Sequence, residues 1–314
     1  MSQQLDHTSL LAARAHTFAL ATTLLPRPRR EAVTVLYSFC RTIDDLVDEP
    51  RPGMTREEIA AALADWRRWL EMGLPPHSLP EPASLAEDLR EVVLSHDVPP
   101  RYLLGLVDGV ASDLGPVRMA NFAALRRYAV QVAGTVGLAM CHVLGTRDPI
   151  ALAAAVELGI AMQLTNILRD VGGDLREGRI YFPLDELAAF GFTPNCLFDL
   201  AAKRQAPDER FDALMRQQIA RAREYYARGM VGVWRLPWRT RSAILLAARL
   251  YRAILDEIEP CADVVLTRRV ATSRVRKLRE AALCVTLVAF YPGTQAEPGP
   301  RAVTLQEALA WLEP

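Results

Sequence analysis

Four aspartates, in two pairs, define the chemistry open to this chain. Asp44 and Asp48 lie in the run YSFCRTIDDLVDE that starts at Tyr37, and Asp170 and Asp174 lie in QLTNILRDVGGDLREGRIYFP that starts at Gln163. On an α-helix, residues four apart sit one turn apart on the same face. Like charges placed that way repel, at a cost of about 0.2–0.5 kcal/mol per pair. A chain that does this twice, in otherwise apolar helices, points to a cation held between the carboxylates. The neighbouring polar residues keep the same register: Tyr37, Arg41, Asp44 and Asp48 share one face, and Gln163, Asn166, Asp170 and Asp174 share another. Arg169, Arg176 and Arg179 add positive charge beside the second pair. Carboxylates flanked by guanidinium groups suit a metal-bound diphosphate, because Mg²⁺ takes few protein oxygens and completes its shell with water and phosphate. The hard oxygen ligands argue against zinc. Neither helix carries the Glu-x-x-His motif of a di-iron bundle. The bland alternative for the first helix is a solvated face with an Arg41–Asp44 salt bridge. Asp45 points about 100° away from Asp44 and reads as a supporting or surface carboxylate.

Helices must position these residues, and helical signals dominate the chain. Capping boxes occur at Thr55/Glu58, Ser84/Glu87 and Thr304/Glu307, and Asp148–Pro149 reads as an N-cap with a first-turn proline. With the breakers between periodic stretches, these signals predict helices near 29–49, 56–72, 84–96, 100–113, 121–144, 149–174, 208–229, 238–259 and 262–285. No period-2 strand run and no repeat appears. The expectation is an all-α, single-domain helical bundle over residues 1–290, followed by a loose linker and short helix over 291–314. Gly172 and Gly173, between the second pair of aspartates, each cost about 1 kcal/mol in a helix interior. They call for compensation, by close approach of another group or by a helix end. In VAGTVG, the small residues Ala133, Gly134 and Gly137 leave a concave helix surface. It serves either close helix–helix packing or a groove for long apolar tails, bordered by Tyr128.

Composition narrows the partners. The 314 residues are 51% hydrophobic with zero formal net charge, so nothing global points to nucleic acid. Five cysteines without a C-x-x-C pair read as free thiols in a reducing compartment. The start, MSQQLDHTSLLAARAH, lacks the basic and apolar blocks of a signal peptide. The most apolar stretch, Ile150 to Leu168, contains Glu157, Gln163 and Asn166, and reads as a buried helix.

Taken together, DDLVD, VAGTVG and QLTNILRDVGGD…GRIYFP resemble the squalene/phytoene synthase family from about Arg14 to about Lys277. AHTFALATTLLP resembles that family's opening segment, where the family often has lysine or serine in place of His16. ARLYRAILDEIE around Tyr251 and RRVATSRVRK from Arg268 match as well. The resemblance implies an isoprenoid-synthase fold with a central apolar cavity, and head-to-head condensation of two prenyl diphosphates through a cyclopropylcarbinyl diphosphate. It implies Mg²⁺, or Mn²⁺, at Asp44, Asp48, Asp170 and Asp174 with Asn166 assisting. Arg41, Arg169 and Arg179 would grip diphosphate. Tyr37, Tyr128, Gln163, Tyr181 and Tyr251 would line the pocket, while His16, Thr17 and Phe18 would contact substrate. Geranylgeranyl diphosphate, phytoene and no NADPH are the leading expectation. A farnesyl-using presqualene, dehydrosqualene or squalene synthase is the close alternative, and a non-catalytic relative the distant one. Because the product is a hydrocarbon, a cytoplasmic protein at the membrane periphery is expected.

Overall fold

The computed structural model describes residues 16–290 and 303–312. In chain order its helices are α1 His16–Thr22, α2 Arg27–Asp48, α3 Arg56–Glu71, α4 Ala83–His96, α5 Pro100–Ala111, α6 Phe122–Ala129 and α7 Thr135–Leu144. They continue as α8 Pro149–Arg176, α9 Leu184–Ala189, α10 Pro194–Ala201, α11 Glu209–Val233, α12 Trp238–Ile258, α13 Arg274–Phe290 and α14 Leu305–Ala310. Tighter 3₁₀ turns follow α5 (Ser112–Leu114) and α12 (Glu259–Leu266), and a wider π turn, Val130–Gly134, joins α6 to α7. Among the described residues there is no strand, only an isolated bridge between Arg118 and Ile180.

The fold is all-α, as expected, and α8 is its central stave. Asp148 caps it by accepting from the Ile150 and Ala151 amides, with Pro149 in the first turn. The helices α7, α11 and α12, the π turn and the second 3₁₀ turn pack around it. Although α8 is long and apolar enough to cross a membrane, 72% of its most apolar window is buried inside the protein. Helix α2 lies across the bundle from α8. It buries Leu36, Phe39 and Ile43, and Phe39 meets Trp66 of α3 at 5.3 Å between ring centroids. Both indoles beneath are satisfied: Trp66 donates to the Glu81 carbonyl and Trp69 to the Pro75 carbonyl.

Glycine lets α8 touch both the π turn and α7. A Cβ on Gly159 would lie 2.5 Å from the Ala133 carbonyl oxygen, and one on Gly137 would lie 2.6 Å from the Ala155 carbonyl oxygen. The small-residue stretch therefore packs helices closely, and it also borders the cavity described below. Gly172 is explained the same way. Its missing side chain admits the backbone of the second 3₁₀ turn, with the Leu266 oxygen 2.3 Å from where a Cβ would stand.

Several expectations need correction. The helix expected over 262–285 is two elements: 3₁₀ winding through Leu266, then a break, then α13 from Arg274. Cys261, at φ −151°, kinks the first of these. Ser84 does not cap α4, which starts at Ala83 behind Pro82 with no side-chain cap. The capping boxes at Thr55 and Thr304 both form. Helix α14 is not loose. Ala308 is fully buried, the Val303 backbone lies beside the Glu157 carboxylate, and the Arg126 guanidinium lies 4.6 Å over the Trp311 ring. Most of the expected linker, 291–302, lies outside the described residues.

Gly172→Ala should destabilise the protein by about 1–3 kcal/mol, because the Cβ meets rigid backbone and not a flexible side chain. A shift in the urea midpoint at constant m-value checks it. Gly173→Ala, where nothing lies within 4 Å, should be neutral or stabilising.

Candidate active site

Both aspartate pairs face one cavity of about 610 Å³. Asp44 and Asp48 reach it from the last turns of α2, and Asp170 and Asp174 from the last turns of α8. Its polar mouth also holds Tyr37, Arg41, Tyr128, Gln163, Asn166, Arg169, Arg179, Tyr181 and Tyr251. Its far end is apolar, lined by Val136, Met140, Leu144, Ala155, Leu158 and Val233 among others. Along α8 the lining runs from Ala151 to Asp174, roughly 34 Å at helical rise. A charged head group and a long apolar tail can thus be held at opposite ends of one space.

Arginines neutralise the mouth. Arg41 pairs with Asp44 at 3.0 Å and Glu49 at 3.1 Å, and also with Asp45, which stands outside the cavity lining. The salt bridge and the cavity-facing aspartates, set out as alternatives for α2, therefore coexist. Arg179, on the loop after α8, reaches across to Asp48 at 2.5 Å and ties the two aspartate helices together. Arg169 and Arg269 both hold Asp170, at 2.7 Å and 2.9 Å. Arg176 turns away, toward the Leu266 carbonyl.

This crowding changes proton affinities. Burial, then the Asp48 charge, pushes Asp44 up to about 7. Burial, then the Asp170 charge, pushes Asp174 up to about 8. Asp44 keeps 44% of its side chain accessible, but that surface opens into the cavity mouth. Among the described residues no three His, Cys, Asp or Glu side chains stand together as a metal cage. Asn166 Oδ1, beside the second aspartate pair, is buried and accepts no hydrogen bond among the described residues. Such an oxygen suits a hard cation whose shell is finished by phosphate and water.

Sequence reasoning missed Asp113. It sits in the first 3₁₀ turn with no carboxylate at helical spacing to mark it, and it lines the same cavity. The Tyr128 hydroxyl donates to Asp113 Oδ2 at 2.7 Å. The Tyr128 and Tyr181 phenol oxygens are 3.3 Å apart, with their rings stacked at 5.1 Å. Burial pushes Asp113 up to about 6. Arg269 and Lys277 also line the cavity, so the basic stretch from Arg268 contributes to the site. Gly134 does not line it: its missing Cβ faces Val156, 3.1 Å away, so it belongs to helix packing. Ala133 and Gly137 are in the lining. The side chains of His16, Thr17 and Phe18 lie outside what the structure describes.

The comparisons match this geometry. The sequence model of the squalene/phytoene synthase family matches residues 11–276. The chain belongs to that family. It is 39% identical to a phytoene synthase of Arthrospira platensis over 80% of this chain and 82% of that one. It is 36% identical to a 15-cis-phytoene synthase of Synechococcus elongatus over 88% of this chain and 91% of that one. A crystal structure of a dehydrosqualene synthase in complex with ligand superposes with a TM-score of 0.76 at 25% identity, covering 91% and 96% of the two chains. The chain is accordingly an enzyme of the prenyltransferase type.

The raised Asp174 predicts how stability responds to pH. A carboxyl that binds its proton more tightly when folded loses stability as pH climbs from its ordinary value near 3.8 to about 8. Asp174→Asn should therefore melt higher than the parent, by roughly 2–4 °C. The gap should widen up to about pH 8 and level off above it. Melting curves of the two ligand-free proteins across this range check it, and a gap that shrinks with pH would contradict the burial argument.

Proposed function

We propose that this chain condenses two geranylgeranyl diphosphates head to head, through a cyclopropylcarbinyl diphosphate, to give phytoene. The supporting observation is one cavity with two facing aspartate pairs at its mouth and an apolar lining behind them. Family membership and the phytoene synthases among its relatives set the reaction class. We assign the reaction to residues 1–290, with the helix after Val303 bracing the bundle from outside.

Asp44, Asp48, Asp170 and Asp174, with Asn166, are the residues that would hold Mg²⁺, or Mn²⁺ in its place. When bound, the metal supplies Lewis-acid neutralisation of the diphosphate charge. The remaining work falls to the protein. Arg41, Arg169 and Arg179 present planar guanidinium groups where negative charge grows as the allylic carbon–oxygen bond breaks. The apolar walls keep water from the carbocation, so that the second substrate's alkene is its only partner. The stacked Tyr128 and Tyr181 offer electron-rich faces to the cation. Asp113 accepts a hydrogen bond from the Tyr128 hydroxyl, which orients that phenol and makes its oxygen more electron-rich. The reaction ends by proton loss, without hydride from NADPH. Substrate and product are lipophilic, so the protein works at the membrane periphery on the cytoplasmic side and needs no nucleic acid.

Incubation of purified protein with each prenyl diphosphate, with and without NADPH, tests this reading by product mass. The expected outcome is phytoene from geranylgeranyl diphosphate with Mg²⁺ alone. A 30-carbon product from farnesyl diphosphate, with the longer substrate unused, would overturn the chain-length assignment. Asp44→Ala and Asp170→Ala should each lower turnover by about 10²-fold or more with the helical circular dichroism intact. Arg41→Lys keeps the charge and loses the planar fork, and should lower turnover with little change in melting temperature.

A further inference from the structure

Helix α13 is apolar on both sides, yet the described residues of the bundle cover only one. Its inner face packs on α12, with Cys284 fully buried and Glu280 held by Arg249 at 2.7 Å. The outer face carries Val275, Leu278, Ala282 and Val285, spaced 3, 4 and 3 residues apart, so they form one stripe. Val275 is 78% exposed, Leu278 69% and Val285 51%, with Leu283 beside them at 38%. Among the described residues, four of the eight exposed large apolar side chains sit on this one helix. Concentration of that kind marks a contact surface, not scattered surface hydrophobicity.

The charge around the stripe identifies its partner. From Arg268 to Arg279 the chain has six basic residues and no acidic one, although its overall formal charge is zero. Arg269 pairs with Asp170, and Arg276 with Asp256 and Glu257, while Arg268 and Arg279 are exposed. An apolar stripe edged by arginine fits the boundary between head groups and acyl chains of an anionic bilayer. A second copy of the chain fits poorly, because a two-fold contact would set the same arginines against each other. The stripe also adjoins the cavity. Arg269 and Thr272, just before α13, and Lys277, between Val275 and Leu278, line the mouth.

We infer that α13 docks the protein on anionic lipid and places the cavity mouth against the bilayer, where an amphiphile can enter and a hydrocarbon can leave without crossing water. This rests on the peripheral-membrane reading above and gives it a surface. The test is flotation with phosphatidylcholine vesicles, with and without phosphatidylglycerol, at low and high salt. The parent protein should float with phosphatidylglycerol vesicles. The triple variant Val275→Ser, Leu278→Ser, Val285→Ser should bind roughly a hundredfold more weakly, with unchanged turnover of detergent-dispersed substrate. Arg279→Glu, an exposed single change that leaves the stripe intact, should weaken binding to phosphatidylglycerol vesicles at low salt and so guards against misfolding of the triple variant. If both variants float like the parent, α13 is not the docking face and the peripheral reading survives. If the parent floats with no vesicle, both fail. If sedimentation equilibrium shows a dimer that the triple variant dissociates, and vesicles are not bound, the face belongs to a second copy and the inference is overturned.

Discussion

Four carboxylates from two helices face a single low-dielectric space, and at neutral pH they cannot all be charged without something positive among them. Arginine answers that constraint in the resting protein. Arg179 spans from the loop after α8 to Asp48 on α2, and Arg169 and Arg269 close on Asp170 from two sides. These contacts hold the ends of α2 and α8 in place. If a metal were held by the carboxylates, as proposed above, these guanidinium groups would be left to face its diphosphate. In the resting protein the ion pairs spare the fold the cost of an unpaired buried charge.

The apolar end depends on a different economy of space. Gly137 brings α7 against α8, and Gly159 brings α8 against the π turn. The cavity then lies to one side of that seam, bordered by Ala133, Gly137, Val136 and Met140. The π turn between α6 and α7 adds a residue to the winding. It lets Tyr128 join Asp113 and Tyr181 at the polar mouth while the residues after it serve the apolar wall.

Much of this was legible in the sequence, because helical periodicity reports which residues share a face. The aspartate pairs, with Tyr37 and Arg41 beside one and Gln163 and Asn166 beside the other, could be placed on two helix faces, and the capping residues at Thr55, Asp148 and Thr304 marked true starts; Tyr181 and Tyr251 came from the family resemblance alone. What stayed hidden was set by tertiary contact. Asp113 stands in a 3₁₀ turn without a periodic partner, and only the fold brings it to Tyr128. Gly134 looked like its neighbours in VAGTVG, but its side of the helix faces Val156. The break ahead of α13 carries no strong punctuation, and a continuous helix was the natural reading. The docking of the segment around α14 could not be foreseen, since Glu157 and Arg126, which it meets, lie far away in sequence.

That docking gives Glu157 an unusual position. It is completely buried near the middle of α8, where Arg228 of α11 holds it at 2.5 Å and the Val303 backbone lies beside it. Arg228 in turn stacks over Tyr225, and the Arg126 beneath Trp311 completes a chain of contacts around the outside of the bundle. The segment after Val303 thus acts as a latch on the very helix that presents Asp170 and Asp174. Cutting the backbone ahead of Val303 would loosen the segment that lies beside a sealed carboxylate and unseat the buried Ala308, so damage at the rim of the molecule would be felt at its centre.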